Sequence, residues 1–337
     1  MISRGLLIFL QIILVFAILA VPAEAADRSL STHKQRTVAV TIDDLPVVRG
    51  NDLKARQRIT ADLLAKIQAN RIPAIGFVNE QKLGEPVPTP ENIALLEKWL
   101  DAGLELGNHT YSHPSFLQTS LEDFKVELTR GEKVTRDLLA RRGKSIRYFR
   151  HPFLNTGPDS ESKGAFESFL TSRGYVVAPV TIDNDEWVYA DVYDKAVAAG
   201  GELLASKIGA DYIRYMEQMF DFYERLAEDL LGREPAQVLL IHANKLNSVY
   251  FNQLVEMIRA RGYQFVPLKK ALEDPAYDLP DEYIGRDGIS WLQRWWITRG
   301  NERRPEPMVP QWIREASKRT ESPRTIELTE AQRAAIP

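Results

Sequence analysis

From Thr37 onward the chain alternates short, β-branched apolar runs with longer stretches of helical spacing, and this rhythm restricts the fold more than any other feature. Residues 37–42 (TVAVTI) read as a buried strand, and 55–70 carry Ile59, Leu63, Leu64 and Ile67 on one helix face. Residues 74–78 form the second strand. Thr89 and Pro90 supply an N-cap and a first helical position, and Gly103 the stop. The strand signal returns at 104–107, 147–149, 175–180, 238–241 and 264–266, with helices predicted over 120–142, 161–173 and 250–261. Strands separated by helices pair in parallel through crossovers, so about seven such units predict an α/β fold, a distorted (β/α)7-type barrel. Residues 195–231 exceed the rhythm. Rich in Tyr and Met, they read as an extra helical hairpin packed on the barrel, with a substrate-contacting lid as the alternative.

The ends of the chain differ from this core. Arg4, an apolar run from Leu6 to Val21 and the small-residue site Ala23-Glu24-Ala25 resemble a secretory signal peptide over residues 1–25. Uncleaved, the run is close to the length of a membrane anchor. Either outcome puts the folded part outside the cytoplasm, periplasmic or secreted, and no later stretch is apolar enough to span. Residues 37–272 then form the main domain. Residues 273–299, with Trp291, Trp295 and Trp296, form an extension packing on it, and the charged, proline-containing segment 300–337 a loosely ordered tail. With 43 basic and 46 acidic residues, the chain lacks the basic excess of a nucleic-acid binder. The absence of cysteine excludes disulfides, thiolate metal sites and a thiol nucleophile.

Polar residues collect where the predicted strands end. The first runs into Thr41-Ile42-Asp43-Asp44-Leu45-Pro46. Adjacent carboxylates at the end of a buried strand are costly unless something pairs with them, and that end of a barrel is where active sites form. The third strand leads into His109-Thr110-Tyr111-Ser112-His113. If this segment turns helically, both imidazoles face one way, and with one aspartate they make three ligands and an open position, the pattern of a catalytic zinc site. Zinc suits the set best, although nickel, cobalt and manganese accept similar ligands. The fourth strand leads into Arg150-His151-Pro152-Phe153, where Arg150 can pair with the aspartate not on the metal and keep it ionised. The strand at 238–241 is followed by His242, a core histidine if taken alone.

Together these motifs resemble the polysaccharide deacetylases of carbohydrate esterase family four, the NodB-homology domain. TIDD, HTYSH, RHPF and LIH appear in that family's order, over roughly residues 37–268. The resemblance implies that Asp44, His109 and His113 bind the metal and that Asp43 is the general base, oriented by Arg150. It also implies that the Phe153 backbone N–H stabilises an oxyanion and that His242 is the general acid. Trp187 would line the sugar groove or else belong to the core. The acid that supports His242 is left open among Asp183, Asp185 and Glu186. Leu45-Pro46 replaces the family's glycine after the aspartate pair, which alters the rim there. The implied reaction is removal of N-acetyl groups from a glycan polymer: peptidoglycan, a chitin-like oligomer or an exopolysaccharide. An O-acetyl esterase and a non-catalytic glycan-binding protein on the same scaffold are the alternatives.

Overall fold

The computed structural model describes residues 35–49 and 52–318. The predicted signal peptide and residues 319–337 lie outside them. In chain order the elements are β1 (Thr37–Leu45), α1 (Leu53–Ala69), β2 (Ile75–Val78), α2 (Pro90–Asp101), β3 (Glu105–Asn108), α3 (Leu121–Arg130) and α4 (Lys133–Ala140). Then follow β4 (Tyr148–Phe149), α5 (Ser160–Ser172), β5 (Val176–Val177), α6 (Glu186–Ala198), α7 (Glu202–Leu231), β6 (Gln237–His242) and α8 (Lys245–Ala260). β7 (Gln264–Phe265), α9 (Leu268–Ala271), α10 (Trp291–Thr298) and α11 (Gln311–Lys318) complete the set.

All strand pairings are parallel. The sheet runs β5-β4-β3-β2-β1-β6, and β7 pairs with the start of β1. The chain after β5 closes the ring. Ala178 N–H still bonds to Phe149 O on β4, whereas Thr181 N–H reaches Val238 O on β6, and Leu240 N–H of β6 reaches back to Ile182 O. The result is the distorted barrel that the alternation predicts. Alternation along β1 divides the apolar side chains in two. Val38, Val40 and Ile42 pack outward with the helices, while Ala39 joins Ile75, Phe77, Tyr148, Ala178 and Val238 in the bore. Asp43 follows Ala39 and Thr41 on the inner face.

Helix limits follow local chemistry. Asp52, Thr89, Ser120, Asp159 and Asn244 each accept a backbone N–H of the following first turn. The long helix predicted over 120–142 is instead two helices. At the break, a side chain on Gly131 would stand 2.4 Å from the Thr110 carbonyl carbon, so the histidine-bearing loop lies directly on the helix junction. The hairpin expected within 195–231 is instead one long helix, α7, which turns back on α6 at Gly200-Gly201, so the helical pair begins earlier, at Glu186; α7 buries Tyr212, Tyr215, Met216, Met219 and Tyr223.

The segment from residue 300 is a correction. Residues 300–318 pack on the domain instead of trailing from it. Val309, Ile313 and Ala316 are buried, α11 lies on α6, and Glu306 accepts a hydrogen bond from Tyr223 Oη. Few apolar residues among many charges suffice because α11 meets the surface already formed by α6. Among the described residues no helix is long and apolar enough to cross a membrane.

Candidate active site

The C-terminal ends of the strands open into a cleft of about 1020 Å³ lined by Asp43, Asp44, His109, His113, Phe153, Trp187 and His242, among others. Strict alternation would send Asp43 and Asp44 to opposite faces of β1. The register of β1 on β2 slips between Ile42 and Leu45, and Asp44 adopts φ 70°. That bulge turns the second carboxylate into the cleft beside the first.

The two histidines are brought together by a loop, not by a helical turn. Thr110 and His113 both have positive φ (67° and 60°), and the loop is secured by side-chain hydrogen bonds. Thr110 N–H donates to Asn108 Oδ1 (2.7 Å), His113 N–H to Thr110 Oγ1 (3.1 Å) and Ser112 N–H to Glu127 Oε2 (2.7 Å). Thr, Asn and Ser compete well with helix formation by such local bonds.

Asp44, His109 and His113 present ligand atoms that all lie within 4.8 Å of one another. His109 is buried, and its Nδ1 meets Arg150 O at 2.8 Å, which fixes the tautomer and leaves Nε2 free for a cation. Burial, followed by the neighbouring His113, holds His109 well below its ordinary pKa, and burial lowers His113 against the pull of Asp44. Both rings are therefore neutral, the form that ligates metal. Burial opposes ionisation of Asp44, but neighbouring positive charge, the Lys82 ammonium first, outweighs it and keeps the carboxylate charged. Two neutral imidazoles and one carboxylate fit a divalent cation such as zinc.

Asp43 sits beside this triad, with Oδ2 3.7 Å from His109 Nε2. Arg150, fully buried, reaches Asp43 Oδ2 (3.2 Å), Thr41 Oγ1 (2.9 Å) and Ala178 O (2.8 Å). The pairing expected between Arg150 and Asp43 is present, yet it does not keep Asp43 at an ordinary carboxylate pKa. Burial raises Asp43 to about 6 against the opposing pull of Arg150 and His242. Asp43 Oδ1 is buried without a hydrogen-bond partner.

His242 lies opposite Asp43 in the β1–β6 register. Its supporting acid is Glu186, whose Oε1 meets His242 Nδ1 at 2.9 Å and accepts the His242 backbone N–H at 2.7 Å. Asn244 and Asn247 donate to the same fully buried carboxylate. Asp183 instead accepts from Asn184 N–H, and the Asp185 carboxylate bonds to Trp187. Burial would lower His242, but Glu186, followed by Asp44 and Asp43, raises it to about 9.

Phe153 and Leu154 are consecutive residues with φ 54°, and the Phe153 ring, 56% exposed, meets His113 edge-on at 4.5 Å. Residues beyond the barrel hold this turn. A side chain on Gly288 would stand 1.5 Å from Phe153 O. Arg294, fully buried, donates to Thr156 Oγ1 (2.7 Å) and Asp281 Oδ2 (2.9 Å), and Lys163 meets the same carboxylate oxygen (2.9 Å). Trp187 is 54% exposed and lines the cleft, so it is not a core tryptophan.

Sequence reasoning missed Gly288, Arg294 and the β2 exit. There Asn79 Nδ2 donates to His109 O (2.6 Å) and Lys82 Nζ lies 2.9 Å from Asp44 Oδ1. Asn79, buried directly after an apolar strand, was the available signal.

Residues 31–163 match the family model described as polysaccharide deacetylase. The peptidoglycan-N-acetylglucosamine deacetylase of Bacillus cereus is 24% identical over 155 residues, 46% of this chain and 48% of that protein. The chain thus spans about half the length of that relative. Among solved structures, a CE4 family pseudoenzyme from Bacillus anthracis aligns with TM-score 0.48 and 16% identity, covering 71% of this chain and 66% of its own. The peptidoglycan deacetylase PdaC from Bacillus subtilis aligns with TM-score 0.44 and 18% identity, covering 71% and 91%. The family 4 carbohydrate esterase from Streptomyces lividans, in complex with acetate, gives 0.42 and 20%, covering 68% and 90%. The segment 31–163 is thus similar to the polysaccharide deacetylase family, and the first three motifs lie inside it, in that family's order.

Proposed function

We propose that the chain is an exported hydrolase that removes N-acetyl groups from a glycan polymer, using a divalent metal ion, zinc by preference, held by Asp44, His109 and His113. One observation carries the reading: a proton acceptor and a supported proton donor, Asp43 and His242, flank that ligand triad on the floor of one open cleft. The ion, when bound, would acidify a water molecule and polarise the amide carbonyl. Asp43 Oδ1, buried and unpartnered, is the atom to receive the water proton, while Arg150 holds Oδ2 and so fixes the carboxylate plane. His242 donates through Nε2 to the departing nitrogen, because Glu186 engages Nδ1. An amine leaves poorly without protonation, and the buried carboxylate behind this imidazole supports a protonated donor. The Phe153 N–H is assigned to the developing oxyanion and the exposed Trp187 face to a pyranose ring.

Peptidoglycan, chitin-like oligomers and an exopolysaccharide remain the candidate polymers. The test is acetate release by the purified protein, metal-stripped and zinc-restored, from a panel of N-acetylated and O-acetylated glycans. Zinc-dependent release from the N-acetyl members alone is the expected result. Release from the O-acetyl members only would move the assignment to an esterase. Release from none would leave a glycan-binding protein.

A further inference from the structure

The turn that follows β2, Glu80–Leu83, is tied to both halves of the ligand triad. Asn79 N–H donates to Leu45 O (3.2 Å), next to Asp44, and Asn79 Nδ2 donates to His109 O (2.6 Å). Gln81 N–H donates to Tyr111 O (3.1 Å), inside the loop between the two histidines. Glu80, buried, accepts the N–H groups of Val134 and Thr135 at the start of α4 (3.0 and 2.8 Å). Arg56 Nη1 holds the Lys82 carbonyl (3.1 Å). A lysine on so fixed a turn is not a wandering surface cation. Its Nζ lies 2.9 Å from Asp44 Oδ1 and 3.5 Å from Asp44 O, with the side chain only 26% exposed. Lys82 stands at the β2 exit, on the same Asp44 oxygen that faces His113 Nε2 at 3.8 Å.

We propose that Lys82 is a built-in counter-cation of the ligand carboxylate, sharing Asp44 with the divalent ion, so that it lowers the affinity of the site for that ion and keeps the site assembled without it. The proposal rests on Asp44 being a metal ligand. Two physical effects act in the same direction. A carboxylate that already neutralises an ammonium is a weaker donor to a second cation, and the two positive charges repel each other across a desolvated site. Without the ion, Lys82 and Arg150 supply one positive charge each to the adjacent carboxylates of Asp44 and Asp43.

The experiment is zinc affinity by chelator competition on the full chain, with the melting temperature measured zinc-free and zinc-loaded. Lys82→Met, which keeps the length of the side chain and removes its charge, is expected to bind zinc about tenfold more tightly than wild type, the scale on which outer partners of metal ligands act. Its zinc-free form is expected to melt lower, widening the gap between loaded and stripped protein. Lys82→Arg, which keeps the charge, is expected to stay near wild type. Should Lys82→Met not fold, Lys82→Gln reads the same affinity. Unchanged or weaker zinc binding in a folded, uncharged variant overturns the proposal. Asp44→Asn separates the other failure: if it binds zinc as wild type does, the ligand assignment is wrong and the proposal falls with it.

Discussion

The two ends of the barrel use the same residue types to opposite ends. At the N-terminal ends of the strands, Arg36 and Arg261 meet Glu224, Glu234 and Asp221, with Tyr263 Oη donating to Glu234. Arg36 and Arg261 each face two carboxylates. At the C-terminal ends, five of the six non-glycine residues with positive φ among the described residues (Asp44, Thr110, His113, Phe153, Leu154) surround one cleft. Each such residue costs about 1–3 kcal/mol. There too Asp43 Oδ1 is buried and unpartnered, Asp43 is raised to about 6, and His242 to about 9. One end is held mainly by ion pairs, and the other gathers most of the positive-φ residues around a buried carboxylate oxygen with no hydrogen-bond partner. Chemical capacity is concentrated at the second.

Substitutions can break that contrast, and the largest effect belongs to the unpartnered carboxylate. Asp43→Asn is expected to reduce acetate release by about 10²–10⁴-fold, the usual worth of a positioned base, with zinc still bound. Acetate assay and metal content read the two halves of that outcome, and an unimpaired rate would remove Asp43 from the chemistry. Glu186→Gln acts on the proposed donor, His242. Loss of the carboxylate takes the His242 pKa from about 9 toward the ordinary 6.5. Because the donor must be protonated, the alkaline limb of kcat/KM is expected to move to lower pH while the acid limb stays. A profile with an unmoved alkaline limb would mean that His242 is not the acid.

A smaller effect is expected from the bracket behind the Phe153 turn. Gly288→Ala forces a methyl group onto Phe153 O and should lower kcat by about tenfold, less than the complete loss of an oxyanion donor, with zinc affinity unchanged. A change in KM alone would assign Phe153 to binding. The smallest effect is expected at the ion-paired end. Glu224→Gln should cost at most about 1 kcal/mol in thermal or denaturant unfolding and leave turnover at the wild-type level. Loss of activity there would dissolve the distinction between the two ends.

Much of the cleft end was legible in the sequence because polar residues interrupt apolar strands at their exits: Asp43-Asp44 after TVAVTI, His242 after VLLI. What could not be read is direction. The bulge that aims Asp44 into the cleft depends on pairing with β2, which no local pattern encodes. The choice of Glu186 over Asp183 and Asp185 depends on where α6 begins. Asn184 Oδ1 accepts Glu186 N–H, and the first helical side chain then turns back toward β6. Lys82 was indistinguishable from any surface lysine until a turn carried it to Asp44. The packing of Val309, Ile313 and Ala316 was masked by the charges between them, since sparse apolar residues become a buried face only against a surface of matching shape.

The dependence of the Phe153 turn on Gly288 and Arg294 bears on where this protein can be trimmed. A version ending at residue 272, where the strand–helix rhythm stops, would retain each motif that marks the family and would fold most of the barrel. It would also expose the underside of the cleft rim, because the residues that brace that turn are contributed afterwards. Recombinant truncations and domain grafts should therefore run at least to Lys318, the end of α11.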